Sequence, residues 1–265
     1  MMNFKLPLSD MLPCGVCSFS DVGELIPCRA KSRVPENAKS VIVYLFPYFL
    51  GEEYYIDSNI SKYAVSDDYH NIAGDYLLKI TQELRKRFPE NKFEYFCDNS
   101  PIREVEAAFL CGLGVMGRNG LLINKEYGSF CFIGEIVTDI ELPYNLPEDR
   151  ACLNCGKCEK ICPNNAIHKG KVDISRCLSD ITQKKGELTS EQIALIRNSD
   201  SIWGCDICQN VCPMNKNIKV TPIKEFFDSA VNNFKKGDNI DGRAYAWRGR
   251  AVIERNFEIK YCKED

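Results

Sequence analysis

CLNCGKCEKICP, residues 152–163, has the spacing C-x2-C-x2-C-x3-C-P. In such a run three thiolates wrap one 4Fe-4S cube and the fourth reaches a second. CDICQNVCP, residues 205–213, supplies C-x2-C-x3-C-P, one ligand short, and Cys177 in SRCLSD is the candidate to complete it. Exchanging the last cysteine of each run gives two full sets, hence two 4Fe-4S clusters. One set is Cys152, Cys155, Cys158 and Cys212; the other is Cys162, Cys177, Cys205 and Cys208. Pro163 and Pro213 close the two loops without offering an N–H. Zinc ribbons are the alternative for CxxC pairs, but their pairs come two by two, without the triple run and its trailing CP.

Composition agrees with thiolate chemistry. The 265 residues hold fifteen cysteines, and the seven outside the two ligand sets (Cys14, Cys17, Cys28, Cys97, Cys111, Cys131, Cys262) are scattered, as core or surface thiols would be. No export signal opens the chain, so a disulfide framework is not expected and the thiols stay reduced. No apolar run approaches the roughly 20 residues of a membrane span. A cytoplasmic protein with no membrane partner is expected. A net charge of −3 gives no basic footprint of the kind nucleic-acid binding usually shows, although a local patch can hide in a neutral total.

Before the cysteines the chain reads as mixed α/β. SVIVYLF (40–46) is a continuous apolar run with β-branched residues, a buried strand. Between Tyr69 and Phe88, Ile72, Tyr76, Leu77, Ile80 and Leu84 recur at helical spacing. KFEYFC (92–97) alternates as a strand with Phe93, Tyr95 and Cys97 inward, and Ser100-Pro101 predicts an N-cap and first turn for a helix ending at Gly112. LLIN (121–124) and SFCFIGEIV (129–137) flank KEYG as a hairpin. PYNLPEDR is a linker, with a boundary near residue 148. Beyond it, helices are expected over 189–199, opened by Thr189 or Ser190, and over 222–234.

Three features before the linker carry two readings each. GLGVMG (112–117) matches G-x-G-x-x-G, yet it follows a helix and enters a strand, the reverse of a dinucleotide fingerprint, which favours a loop beside some other cofactor. His70 in DDYH is a helix-start residue or a site residue. Asp98, just past a strand end, is a carboxylate satisfying N–H groups or a proton donor. With only two histidines, His70 and His168, a Ser-His-Asp hydrolase is not indicated.

Taken in order, SKYAVSDDYH, DNSPIREVEAAFLCGLGVMGRNGLLIN, GSFCFIGEI, CLNCGKCEKICPNNAI, RCLSDIT, GCDICQNVCPMN and RGRAVIERN resemble the epoxyqueuosine reductase family, over about residues 35–256. The resemblance implies a nitroreductase-like α/β corrinoid-binding domain over 1–147. It also implies a ferredoxin-like α+β module with two 4Fe-4S clusters over 148–220, and a helical segment over 221–265 packing back on the core. It implies cobalamin as second cofactor, tRNA carrying epoxyqueuosine as substrate, and a low-potential electron donor such as ferredoxin or flavodoxin. Asp98 matches the family's catalytic acid, expected to carry a raised pKa from burial beside the macrocycle. Cobalamin contacts are expected at Tyr69, His70, Gly112, Gly114, Gly117, Arg118, Asn119, Ser129, Gly134 and Glu135. The family commonly continues into a C-terminal helical-repeat domain that helps hold tRNA, whereas this sequence stops at Asp265, a short form. Arg118 stands where lysine is usual, and Val115 and Met214 where tryptophan is usual. Two other functions therefore stay open: a corrinoid iron-sulfur reductase for a smaller molecule, and an electron-transfer protein of ferredoxin type.

Overall fold

Strand β2 (Ser40–Pro47), the apolar run of the sequence, is buried along all eight residues. A computed structural model describes residues 5–262. In it β2 lies between β1 (Cys14–Ser18) and β6 (Cys131–Thr138), with β3 (Phe93–Cys97) beyond β6, every neighbour antiparallel. The run is apolar throughout because both faces of the sheet are covered. Val41, Val43 and Leu45 pack with Ala107, Ala108 and Cys111 around α2 (Glu104–Leu110). On the other face lies α1 (Tyr69–Arg87), whose Leu77 closes with Phe46 on Gly134. Buried Ile72, Ala73, Leu77, Ile80 and Leu84 form its stripe, and Arg85, Lys86 and Arg87 suit its C-terminal dipole.

Two covered faces also explain where the simple alternation fails. In β3 the buried residues are Phe93 and Phe96, not Phe93, Tyr95 and Cys97. Phe93 meets Phe88 at the end of α1, and Phe96 joins the α2 side. Helix α2 starts later than Ser100-Pro101 predicts: the Ser100 hydroxyl accepts the Ile102 N–H at 3.1 Å, making a local turn, and Arg103 is the N-cap. The expected hairpin across KEYG is also rearranged. Leu122–Ile123 (β5) pairs with Val115–Met116 (β4), while Asn124 and Gly128 only close the turn between β5 and β6.

The chain divides into two compact units. The first comprises the described residues up to Pro47, Tyr69–Gly117 and Leu121–Cys152; the second comprises Tyr48–Asp68, Arg118–Gly120 and the described residues from Leu153 on. In the second unit the helices are α3 (Lys157–Ile161), α4 (Leu178–Gln183), α5 (Ser190–Asn198), α6 (Ile207–Asn210), α7 (Lys224–Asp228) and α8 (Arg250–Tyr261), with a hairpin of β7 (Ile167–His168) and β8 (Lys171–Val172). Helix α5 opens on Thr189 with a complete capping box through Gln192. The helix expected over 222–234 is confined to α7. Buried Asn256 of α8 donates to the carbonyls of Thr182 (2.7 Å) and Ile202 (2.8 Å), tying α8 to the layer below.

Segment 48–68 belongs to the second unit because its backbone groups are satisfied there. Asn59 exchanges two hydrogen bonds with Phe234 (2.9 and 2.8 Å), and Ile60 bridges Trp203, whose indole N–H donates to the Tyr63 hydroxyl at 2.8 Å. In the first unit a Cβ at Gly114 would come within 2.6 Å of the Ile123 carbonyl oxygen. Gly114→Ala is therefore expected to lower stability by about 1–3 kcal/mol through overpacking, measured by denaturant unfolding; an unchanged midpoint would show that β4 and β5 separate freely.

Candidate functional site

Helices α3 and α6, each inside one of the cysteine runs, lie against each other. Their pairing gathers thiols from distant parts of the chain. Burial pushes the Cys205 thiol up to about 12, and Asp206, Cys177 and Cys162 add to it through their charge. Cys208 is likewise pushed up to about 12, by burial first and then by Cys205 and Cys177. These four are the second ligand set read from the spacing. Amide donors face them: the Ala166 N–H reaches Cys162 Sγ at 3.3 Å and Asn119 Nδ2 reaches Cys208 Sγ at 3.8 Å. Of the first set, Cys155 is exposed and Cys152, Cys158 and Cys212 are half-buried. None of the described cysteines is in a disulfide. Among the described residues no three His, Cys, Asp or Glu side chains converge on a point that would hold a single ion; a 4Fe-4S cube instead takes its four thiolates on separate irons.

Sequence reading missed two residues beside these thiols. Asp206 lies inside the second run, and burial raises its pKa. Its Oδ2 accepts the Lys62 backbone N–H at 2.6 Å, while Lys62 Nζ, 9% exposed, donates to Asn210 Oδ1 at 2.9 Å and sits 4.8 Å from the Tyr55 ring centre. Lys62 stands in the SKYAVSDDYH stretch, far from the cysteines in sequence. Only the long-range fold of segment 48–68 brings the two together.

In the first unit, Asp98 follows β3 with φ +55°, and Asn99 with φ +43°, both in the left-handed region that costs a non-glycine residue energy. Its carboxylate accepts three hydrogen bonds: from His70 Nε2 (3.2 Å), the Asn99 N–H (2.6 Å) and the Tyr69 hydroxyl (2.9 Å). The Tyr69 ring stacks on His70 and, nearly parallel at 3.9 Å, on Phe132. The His70 bond foremost, with those of Asn99 and Tyr69, outweighs burial and holds the Asp98 carboxyl down to about 2. The expected raised pKa is thus corrected: the group is more than half exposed and is stabilised as an anion.

The expected cobalamin contacts divide. Tyr69 and His70 join Asp98, and the Gly117 N–H donates to the Leu121 carbonyl at 2.8 Å while Ser129 is 5% exposed. The others stand in these surroundings. Gly112, φ +70°, is the residue past the C-cap of α2, where a left-handed conformation ends a helix. At Gly114 an added Cβ would meet the Ile123 carbonyl oxygen, and at Gly134 the Leu77 side chain. In the second unit both Arg118 Nε and Nη2 donate to Glu159 Oε1 (3.0 and 2.6 Å), and Asn119 faces Cys208. Glu135 is 0% exposed.

Glu135 instead forms a buried acidic group. Neither of its oxygens has a hydrogen bond of ordinary geometry, although the Ser100 hydroxyl faces it, and burial first, then Glu104 and Asp98, raise its pKa. Glu104, at the start of α2, is pushed up to about 7 by burial and by the charge of Asp98. A carboxyl whose folded pKa is raised stabilises the fold below its unfolded value, and that contribution is lost as pH rises through the folded value. For Glu104 the window runs from 4.5 to about 7. Wild-type Tm is expected to fall between pH 5 and pH 8 more steeply than that of Glu104→Gln; parallel curves would mean that Glu104 is solvated.

Comparison with known proteins places the whole. The family model described as 4Fe-4S double cluster binding domain matches residues 151–215, and the one described as Epoxyqueuosine reductase QueG, DUF1730 matches residues 29–99. The chain is 33% identical over 219 residues to the epoxyqueuosine reductase of Leadbetterella byssophila, covering 81% of this chain and 71% of that protein. It is 32% identical over 215 residues to that of Lactococcus garvieae, covering 76% and 61%. With the Escherichia coli enzyme it shares 37% over 169 residues, 63% of this chain and 44% of the relative, so the chain spans only part of several relatives. The structure of epoxyqueuosine reductase from Streptococcus thermophilus superimposes with a TM-score of 0.78 at 25% identity, over 97% of this chain and 80% of that one. A crystal structure of an epoxyqueuosine reductase with an epoxyqueuosine-modified tRNA stem loop superimposes at 0.79 with 22% identity, over 95% and 77%. The mixed helix and sheet expected from the sequence is the fold of these structures, and by sequence the chain belongs to the epoxyqueuosine reductase family.

Proposed function

We propose that the chain is a cobalamin-dependent iron-sulfur reductase that converts epoxyqueuosine to queuosine in tRNA. The observation that carries this reading is Asp98: an exposed carboxylate held by Tyr69, His70 and Asn99, at the position of the family's acid. The relative solved with an epoxyqueuosine-modified tRNA stem loop supports that substrate. Among the described residues no helix is long and apolar enough to cross a membrane, in keeping with a cytoplasmic enzyme acting on tRNA.

The residues present fit the cofactors. Four thiols in one another's field, with N–H groups turned toward sulfur, suit a 4Fe-4S cluster in the second unit. In the first unit the half-exposed, parallel Tyr69 and Phe132 rings beside Asp98 suit a flat macrocycle. When bound, clusters and corrinoid supply low-potential electrons, within a range of roughly −700 to +450 mV for iron-sulfur centres. The chain supplies a proton. Opening an epoxide to an alkene and water consumes two electrons and two protons; Asp98 delivers one proton to the departing oxygen and solvent delivers the other. Because its carboxylate is an anion at rest, the proton reaches Oδ2 from the groups bonded to it, His70 Nε2 or the Tyr69 hydroxyl. An acidic low-potential carrier such as ferredoxin or flavodoxin supplies the electrons.

Anaerobic reconstitution is expected to give about eight iron and eight sulfide per chain, since two cubes need eight thiolates. Cys177→Ser should lose about half of that iron, whereas Cys111→Ser, in the core of the first unit, should lose none; equal loss would show the ligand set to be wrong. Asp98→Asn is expected to slow reduction of epoxyqueuosine in tRNA by about 10²- to 10⁴-fold, with iron and bound corrinoid unchanged. Near-full turnover would reduce Asp98 to a structural cap, and an unchanged wild-type rate on a small epoxide would favour a smaller substrate.

A further inference from the structure

We propose that the β7–β8 hairpin, with Lys160, Ile161, Ile174 and Arg176 beside it, is the docking face for a small acidic electron-carrier protein. The inference rests on the reading of residues 151–215 as the electron-transfer module and assigns its entry point.

The hairpin turns at Lys169 and Gly170, with φ of +49° and +77°, the signs of a two-residue turn that ordinarily takes asparagine or aspartate followed by glycine. A lysine is thus held at the tip against backbone preference. The tip is pinned, because the Gly170 N–H donates to Glu159 Oε1 at 3.1 Å, the oxygen that also receives Arg118. Beside the hairpin is an open cavity of about 660 Å³, bounded among others by Lys160, Ala166, His168, Lys171 and Arg176. Its acidic residues are already engaged: Glu159 by Arg118, and Asp173 by the Ser175 N–H and hydroxyl and by the charge of Arg176. Lys160, Lys169 and Lys171 are exposed and make no ion pair among the described residues. The face is therefore positive, in a chain whose total charge is −3. Ile161 and Ile174, 48% and 61% exposed, supply apolar area next to it.

Proximity to sulfur selects the occupant. Ala166 lines the cavity, and its N–H is the donor 3.3 Å from Cys162 Sγ; Ile161 and Arg176 immediately precede Cys162 and Cys177. A carrier seated here stands one residue from two proposed cluster ligands. Small apolar contacts with a charged surround suit brief redox encounters, in which complementary charge raises the association rate more than the affinity. RNA phosphates would also be attracted to the lysines, but they would leave Ile161 and Ile174 without apolar partners. Each encounter moves one electron: the carrier is oxidised by one, the cluster is reduced by one, and no bond or proton changes hands.

The test uses the full chain reconstituted with both clusters, with iron counted first. Reduced flavodoxin is the probe, cluster bleaching in stopped flow is the readout, and photoreduced deazaflavin, which needs no docking, is the control. Lys169→Glu with Lys171→Glu is expected to slow reduction by flavodoxin at least about tenfold at low ionic strength, the gap closing at high salt. Iron content and the deazaflavin rate should not change. Equal flavodoxin rates in the two proteins, or a wild-type rate independent of salt, would overturn the proposal. So would weakened tRNA binding with an unchanged flavodoxin rate, which would give the face to RNA. If the double variant fails to hold iron, the Lys169→Ala, Lys171→Ala pair and the wild-type salt dependence decide. A wild-type chain that takes up no iron would overturn the module reading itself, before flavodoxin is added.

Discussion

Four thiols share one small volume of the second unit, and a negative charge on its neighbours raises the cost of ionising Cys205 or Cys208. Burial alone makes the thiol the resting form of Cys205 and Cys208, and Cys162 and Cys177 reinforce it. Such a group becomes anionic together only around a cation, and binding the cation releases protons and adds to folding stability. The surroundings are built for negative sulfur: the Ala166 amide and the Asn119 side chain aim N–H groups at it. Asp206 runs against this pattern, since a carboxylate inside the second run adds to the negative field. Lys62 answers it, with a backbone N–H on Asp206 and an ammonium, almost wholly buried, on neighbouring Asn210. Segment 48–68 thus joins the second unit through the electrostatics of the cysteine run as well as through packing.

A similar repulsion orders the first unit. Three carboxyls, Asp98, Glu104 and Glu135, feel one another's charge, and their environments push them apart in acidity. Asp98, exposed and triply hydrogen-bonded, stays ionised; Glu104 and Glu135, screened from water around α2 and β6, are favoured neutral. Removing the bonds to Asp98 would change the acidity of all three. The carboxylate at the surface and the protons held behind it are parts of one balance.

How much of this the sequence discloses depends on the range of the interactions. The strand over 40–46, helix α1 and the capped helix α5 are legible because each is dictated by its own periodicity or cap. The nearness of Cys177 to the runs is legible because ligand spacing is local to each run, and Cys177 is the cysteine lying between them. The pairing of β5 with β4 is not legible, since LLIN and SFCFIGEIV fit a hairpin equally well by pattern and tertiary context decides the partner. The same holds for GLGVMG, whose glycines answer to a helix end and to a neighbouring carbonyl, demands that no motif prints. Lys62 and Asp206, distant in sequence, carry no signal of their meeting.

Asp98 was legible as a position and misread as a chemical state. A strand end before Ser-Pro locates the carboxylate, but its ionisation depends on His70 and Tyr69, which arrive from the start of α1. Those bonds also bear on the backbone. Two successive residues in the left-handed region cost on the order of 1–3 kcal/mol each, and three hydrogen bonds to the carboxylate, each charge-assisted, offset that cost. Protonating Asp98 converts an acceptor of three bonds into a weaker one, so the charge and the conformation of the loop are coupled. When the carboxylate takes its proton, the loop loses part of what holds it in its strained form. A protonated Asp98 is therefore less restrained than its anion, and loss of the proton restores the bonds that hold the loop.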